Sequence, residues 1–153
     1  GGHVQSHIKN SKTDKKREGD KDWYITASKP DRPGGITYSS LTFDPPLKDN
    51  EVLISELDQG STNDNLVQCY LQKEPARKLT NLKKVPILIL SAQASYHSPY
   101  DHGTSNFLNQ AGVKHDFLRL EDRNIKGNGH MMMLEKNNHE IADCLLNWMH
   151  SKI

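Results

Sequence analysis

Val85-Pro86-Ile87-Leu88-Ile89-Leu90 is continuously apolar and rich in β-branched side chains. A run of that length and character suits a strand buried on both faces of a parallel sheet. Downstream, a loop over 91–103 carries Tyr96, His97, Tyr100, Asp101 and His102. Thr104 or Ser105 then caps a helix with Phe107, Leu108 and Ala111 inward and Gly112 as its stop. His115-Asp116-Phe117-Leu118-Arg119-Leu120 alternates and reads as a second, more exposed strand. After a loop over 121–130, Asn138 caps a terminal helix whose apolar stripe is Ile141, Leu145, Trp148 and Met149. Strand–loop–helix–strand–loop–helix is the signature of an α/β fold with a doubly wound parallel sheet. In such sheets the sites lie at the carboxyl ends of the strands, where both loops fall.

Upstream the signals weaken. Residues 1–22 are polar and charged, with almost no apolar periodicity, and read as surface or disordered sequence. Trp23-Tyr24-Ile25-Thr26-Ala27 suits a strand, which the turn Lys29-Pro30-Asp31-Arg32-Pro33-Gly34-Gly35 breaks. Between 47 and 82 the spacing predicts short helices. Val52, Leu53, Ser55, Glu56 and Leu57 form the first, stopped by Gly60. Asn63 or Asp64 caps the second, through Leu66, Val67, Tyr70 and Leu71. Pro75 opens a third that ends near Leu82. The chain thus divides into a polar segment, 1–22, and a body, 23–153, with 47–82 as a helical insertion. Four or fewer strands are available, so an exposed sheet edge and an uncovered apolar face are expected. That points to a fragment or a reduced variant, and to self-association through the edge.

Composition narrows the function classes. The 153 residues include 20 basic and 19 acidic side chains for a net charge of +1. That balance argues against nucleic acid or an anionic membrane as the partner. No run approaches the roughly 20 apolar residues of a membrane span, and no signal peptide is visible. The compartment stays open, with the cytoplasm slightly favoured. An apolar fraction of 34% and a mean hydropathy of -0.78 are low for a free-standing globular domain. Cys69 and Cys144 show no metal or redox spacing and read as buried free thiols.

The densest chemistry lies in Lys126-Gly127-Asn128-Gly129-His130-Met131-Met132-Met133-Leu134-Glu135. Two glycines let the backbone turn tightly, so His130 is held out toward a cavity. With a pKa near neutrality it suits a proton shuttle; the plainer alternative is a histidine filling space beside a turn. Ser91, Ser95 and Ser98 sit nearby, but nothing presents them as nucleophiles, and loop hydrogen bonding accounts for them. His97, Asp101, His102 and His130 match no strong metal motif, so no metal is expected. Three consecutive methionines cannot face one ion, and pliable core filling beneath His130 accounts for them.

Taken together, residues 85–149 resemble the C-terminal part of an α/β-hydrolase. The runs Ala94-Ser95-Tyr96-His97-Ser98-Pro99-Tyr100-Asp101-His102-Gly103-Thr104 and Gly127 to Asn138 are similar to an esterase-like subgroup of largely uncharacterised bacterial and fungal hydrolases. Leu41-Thr42-Phe43-Asp44-Pro45-Pro46 and Glu74-Pro75-Ala76-Arg77 extend the resemblance to roughly residues 32–149. The resemblance implies a Ser-His-acid hydrolase of ester-like small molecules that needs no cofactor. In it His130 is the triad histidine and 47–82 a cap over the pocket. Relatives often carry an acid where Gln93 stands. Asp101 is the best remaining candidate to orient His130, with Glu121 or Asp122 as alternatives. Tyr96, His97, Tyr100 and His102 would line the substrate pocket; the plainer alternative is that the tyrosines simply pack and the histidines serve as hydrogen-bonding residues. The chain has no G-x-S-x-G nucleophile elbow, and Gly1-Gly2 reads as the tail of one lost upstream. The competing expectation is an inactive hydrolase-like domain that binds a ligand or a partner subunit.

Overall fold

A computed structural model describes residues 42–48, 53–58, 66 and 68–152. The expectations for residues 1–22, for a strand at 23–27 and for a cap at Asn63 or Asp64 lie outside the described residues. Four strands and two helices are present among those described: β1 (Ser55–Leu57), β2 (Tyr70–Gln72), β3 (Leu88–Ser91), α1 (Asp101–Gln110), β4 (Asp116–Arg119) and α2 (Asn138–His150). β3 and β4 pair in parallel, with Leu88 opposite Asp116 and Ser91 opposite Arg119.

The two faces of this pair carry different cores. Side chains alternate across a strand, so neighbours along β3 face opposite ways. Ile87 and Ile89 pack against α1, in a cluster with Phe107, Leu108, Ala111, Val113, Leu79 and Phe43. Leu90 and Leu118 face α2, packing with Ala92, Leu120, Ile125 and Ile141. One cluster thus joins β3 to α1 and the other joins the strand pair to α2. Phe107 is fully buried, which stabilises the chain by about 1.5–3 kcal/mol relative to an exposed ring.

Several local expectations are corrected. β3 is not buried on both faces: Leu88, Ile89 and Leu90 are half-exposed and Val85 is exposed. Among the described residues β4 is its only strand partner. α1 begins at Asp101, before Thr104 and Ser105. Ser105 lies inside the helix, where its hydroxyl meets His115 Nε2 at 2.8 Å. Asp101 instead places its charge in the first turn, where the helix dipole favours an anion. Gly112 does end the helix, at φ 72°. On α2, Ile141 is buried but Met149 is exposed, and Trp148 is fixed by donating to Asp116 at 2.7 Å. Cys69 is buried, but Cys144 is only half-buried.

Residues 47–82 differ most. Where the spacing predicts helices, β1 and β2 form an antiparallel ribbon with Glu56 opposite Leu71, followed by a 3-10 turn at Thr80–Leu82. The ribbon wins because α1 supplies what β2 lacks. The Gln110 side chain accepts from Gln72 N at 2.9 Å and donates to Gln72 O at 2.8 Å, closing the β2 edge as a neighbouring strand would.

Candidate active site

β3 and the residue before it form one wall of a cleft of about 570 Å³. Ile87, Leu88, Ile89 and Leu90 make that wall apolar; Ser95, Tyr96, His97, Asp101 and His130 close its polar end. The polar end lies beyond the carboxyl ends of β3 and β4, where the loops predicted to hold the site converge.

His130 reaches the cleft on a turn built from both sides. Gly127 adopts φ 80°, a conformation that favours glycine, and its N–H donates to Gln93 Oε1 at 3.0 Å. Asn128 O accepts from Ala94 N at 2.9 Å, tying the turn to the residue before Ser95. Gly129 has an ordinary φ; its N–H donates to Glu135 Oε1 at 2.6 Å. Of the two glycines that mark the motif, only the first serves a left-handed turn.

Around the imidazole the partners are specific. Ser95 Oγ lies 3.4 Å from His130 Nδ1 and accepts from His97 N at 3.1 Å. The His97 ring stacks on His130, with centroids 4.3 Å apart and planes 9° from parallel. The Tyr96 ring leans against His130 at 4.7 Å. Asp101 Oδ1 lies 3.5 Å from His97 Nδ1, so its nearest basic neighbour is His97 rather than His130. Burial pushes the His130 pKa down, and a positive His97 pushes it further; the Asp101 carboxylate opposes both. The result is an imidazole that favours the neutral form in a cleft that also has an apolar wall.

Not all the residues expected at the pocket meet there. Tyr96 and His97 line the cleft, but Tyr100 and His102 are absent from its wall. Tyr100 is buried beside Cys69, and His102 Nε2 lies 3.7 Å from Cys69 Sγ. They join α1 to the loop before β2, because the helix starts early enough to turn both inward. Glu121 pairs with Arg119 at 3.6 Å. The methionines split: Met132 packs against the α2 cluster, whereas Met131 and Met133 are exposed, contrary to a role as core filling. Ser95, one of three serines in its loop, does make the loop hydrogen bond expected of it, but its place beside His130, and the roles of Asn128 and Glu135, carry no sequence expectation. The clustering of Asn and Glu around a Gly-x-Gly turn is the signal that could have found the latter two. Among the described residues no three His, Cys, Asp or Glu side chains gather as metal ligands would, and no helix is long and apolar enough to cross a membrane.

Over 123 residues the chain is 43% identical to a probable secreted lipase, phiG, of a fungal species (strain ATCC 74256). The match covers 77% of this chain and 32% of that protein, so the chain spans about a third of the relative's length. The similarity fits a hydrolase relationship of lipase or esterase type. No protein-family model matches the chain, and no solved structure does.

Proposed function

We propose that the chain is the histidine-bearing part of an α/β-hydrolase, a doubly wound parallel sheet that cleaves ester-like small molecules with a Ser-His-acid set. The observation that carries this reading is the placement of a neutral-favouring His130 at the polar end of an apolar cleft. An ester substrate has the matching halves: an apolar acyl or alkyl group for the β3 wall and a carbonyl for the polar end. The lipase-named relative supports the same chemistry at a coarse level.

In this mechanism His130 takes a proton from the attacking hydroxyl and later returns one to the leaving alcohol. Its Nε2 must then be free to accept, which places the ring proton on Nδ1. Ser95 Oγ supports that tautomer. One of its lone pairs takes His97 N–H, and the other is available to His130 Nδ1–H. Ser95 therefore occupies the orienting side of the imidazole, not the side of attack. Asp101 contributes through its charge, favouring the imidazolium that forms during the reaction. The nucleophile is supplied by chain outside the described residues. The secretion named for the fungal relative is proposed here as well, in place of the cytoplasmic leaning of the composition.

Fluorophosphonate labelling of the whole natural protein, followed by peptide mapping, tests the proposal. Covalent label on one serine other than Ser91, Ser95 or Ser98, blocked by prior incubation with a short-chain ester, is expected. Absence of label from folded protein, or label on Ser95, would overturn it.

A further inference from the structure

The turn that carries His130 is held by a carboxylate that does not itself line the cleft. Glu135 follows the 3-10 turn Met132–Leu134, which folds its side chain back over the residues ahead of the histidine. Oε1 accepts from Gly129 N at 2.6 Å and Oε2 from Asn128 Nδ2 at 2.9 Å. Asn128 is 1% exposed, and its amide meets that of Asn137 in both directions, at 2.7 and 3.1 Å. A buried amide left without partners would be costly, so this network has one strongly preferred geometry. Through Asn128 O it also fixes Ala94, and with it the loop that places Ser95 on Nδ1. A Cβ at Gly129 would lie 3.4 Å from Glu135 Oε1, so a glycine there leaves the carboxylate room to close.

We propose that Glu135 is the positioning residue of His130, acting on it through Gly129 and Asn128 as a double hydrogen-bond acceptor and not as a charge. The inference rests on His130 being the base of the site. It makes a distinctive demand on substitution. Glutamine keeps one acceptor for Gly129 N–H and offers an amide N–H where the second acceptor was. If the amides of Asn128 and Asn137 both flip, Asn128 Oδ1 receives that N–H and the paired contact between the two asparagines is re-formed. Glu135→Gln thus preserves the clasp without charge, whereas Glu135→Ala removes it.

The test is NMR of the histidine rings in the full chain, for the wild type, Glu135→Gln and Glu135→Ala. In the wild type, the His97 and Tyr96 rings shift the His130 signals, and His97 and Asp101 are the titrating groups that face it. His115, held by Ser105 and Val113 O away from the clasp, reports on the remaining fold. Glu135→Gln is expected to keep the His130 shifts and titration. Glu135→Ala is expected to move the shifts toward those of a free imidazole and raise the titration toward the ordinary value, with His115 unchanged. An unaltered His130 in the alanine variant would overturn the proposal, as would a glutamine variant as perturbed as alanine. If alanine also disturbs His115, glutamine decides alone: an intact His130 supports the clasp, and a displaced ring or an unfolded chain overturns it. No turnover is read, so a failed clasp leaves the hydrolase reading standing, and an inactive protein leaves the clasp standing.

Discussion

His97 and His130 lie face to face, their ring centroids 4.3 Å apart and their planes 9° from parallel. Two imidazolium rings in that arrangement repel, so the pair resists carrying two positive charges. Asp101, beside His97 Nδ1, offers its carboxylate to one member of the pair. Burial and His97 lower the His130 pKa and Asp101 opposes them, a division that leaves His130 the neutral form a base requires.

The pH dependence follows from that division. The His130 pKa is lowered from its ordinary 6.5, by burial first and by His97 second. A base with a lowered pKa stays unprotonated to lower pH, so the acid limb of kcat/KM should fall below pH 6.5. Replacing His97 by Gln removes both the stacked ring and its charge, and the limb should move to higher pH. A pH–rate profile of the two proteins checks the sign.

Ser95 is placed to orient and not to attack. Ser95→Ala removes an acceptor from His130 Nδ1 and from His97 N. Loss of one such hydrogen bond corresponds to roughly a 3–10-fold fall in kcat. The variant should still take a fluorophosphonate label, which a missing nucleophile would prevent.

Phe107 anchors α1 against β3, fully buried among Leu79, Val113 and Phe43. Phe107→Ala leaves a cavity in that cluster and should cost about 3–5 kcal/mol. Urea denaturation followed by circular dichroism measures it.

Asp116 ties the end of α2 to β4, accepting from Lys152 Nζ at 2.6 Å and from Trp148 Nε1 at 2.7 Å. Lys152 first and Trp148 second hold its pKa below 3.8. A depressed carboxylate contributes stability above its unfolded pKa and loses it as pH falls through the folded value. Asp116→Asn should therefore flatten the acid side of the stability profile below about pH 4. Trp148 fluorescence across an acid titration reports the change.

The strand–helix alternation over 85–150 was legible because its signals are local. A continuous apolar run, an inward Phe107-Leu108-Ala111 set and a glycine stop each act within a few residues. The ribbon of Ser55–Leu57 and Tyr70–Gln72 was not. Leu53 and Leu57 have helical spacing, but Gln110, 38 residues beyond Gln72, completes the β2 edge. No local pattern records that partner. The same contrast holds at the site. A Gly-x-Gly turn advertises His130, whereas Ser95 gains its place only when two loops converge. Tyr100 and His102 meet Cys69, more than 30 residues earlier in the chain, a contact that no local pattern records.

The central claim is that His130 is the base of an ester hydrolase. Hydrolysis of short-chain p-nitrophenyl esters by the whole natural protein, compared with its His130→Ala variant, tests it most directly. General acid–base loss predicts a fall in kcat of roughly 10²–10⁴-fold with the fold retained. A folded variant that turns over ester at the wild-type rate would contradict the account.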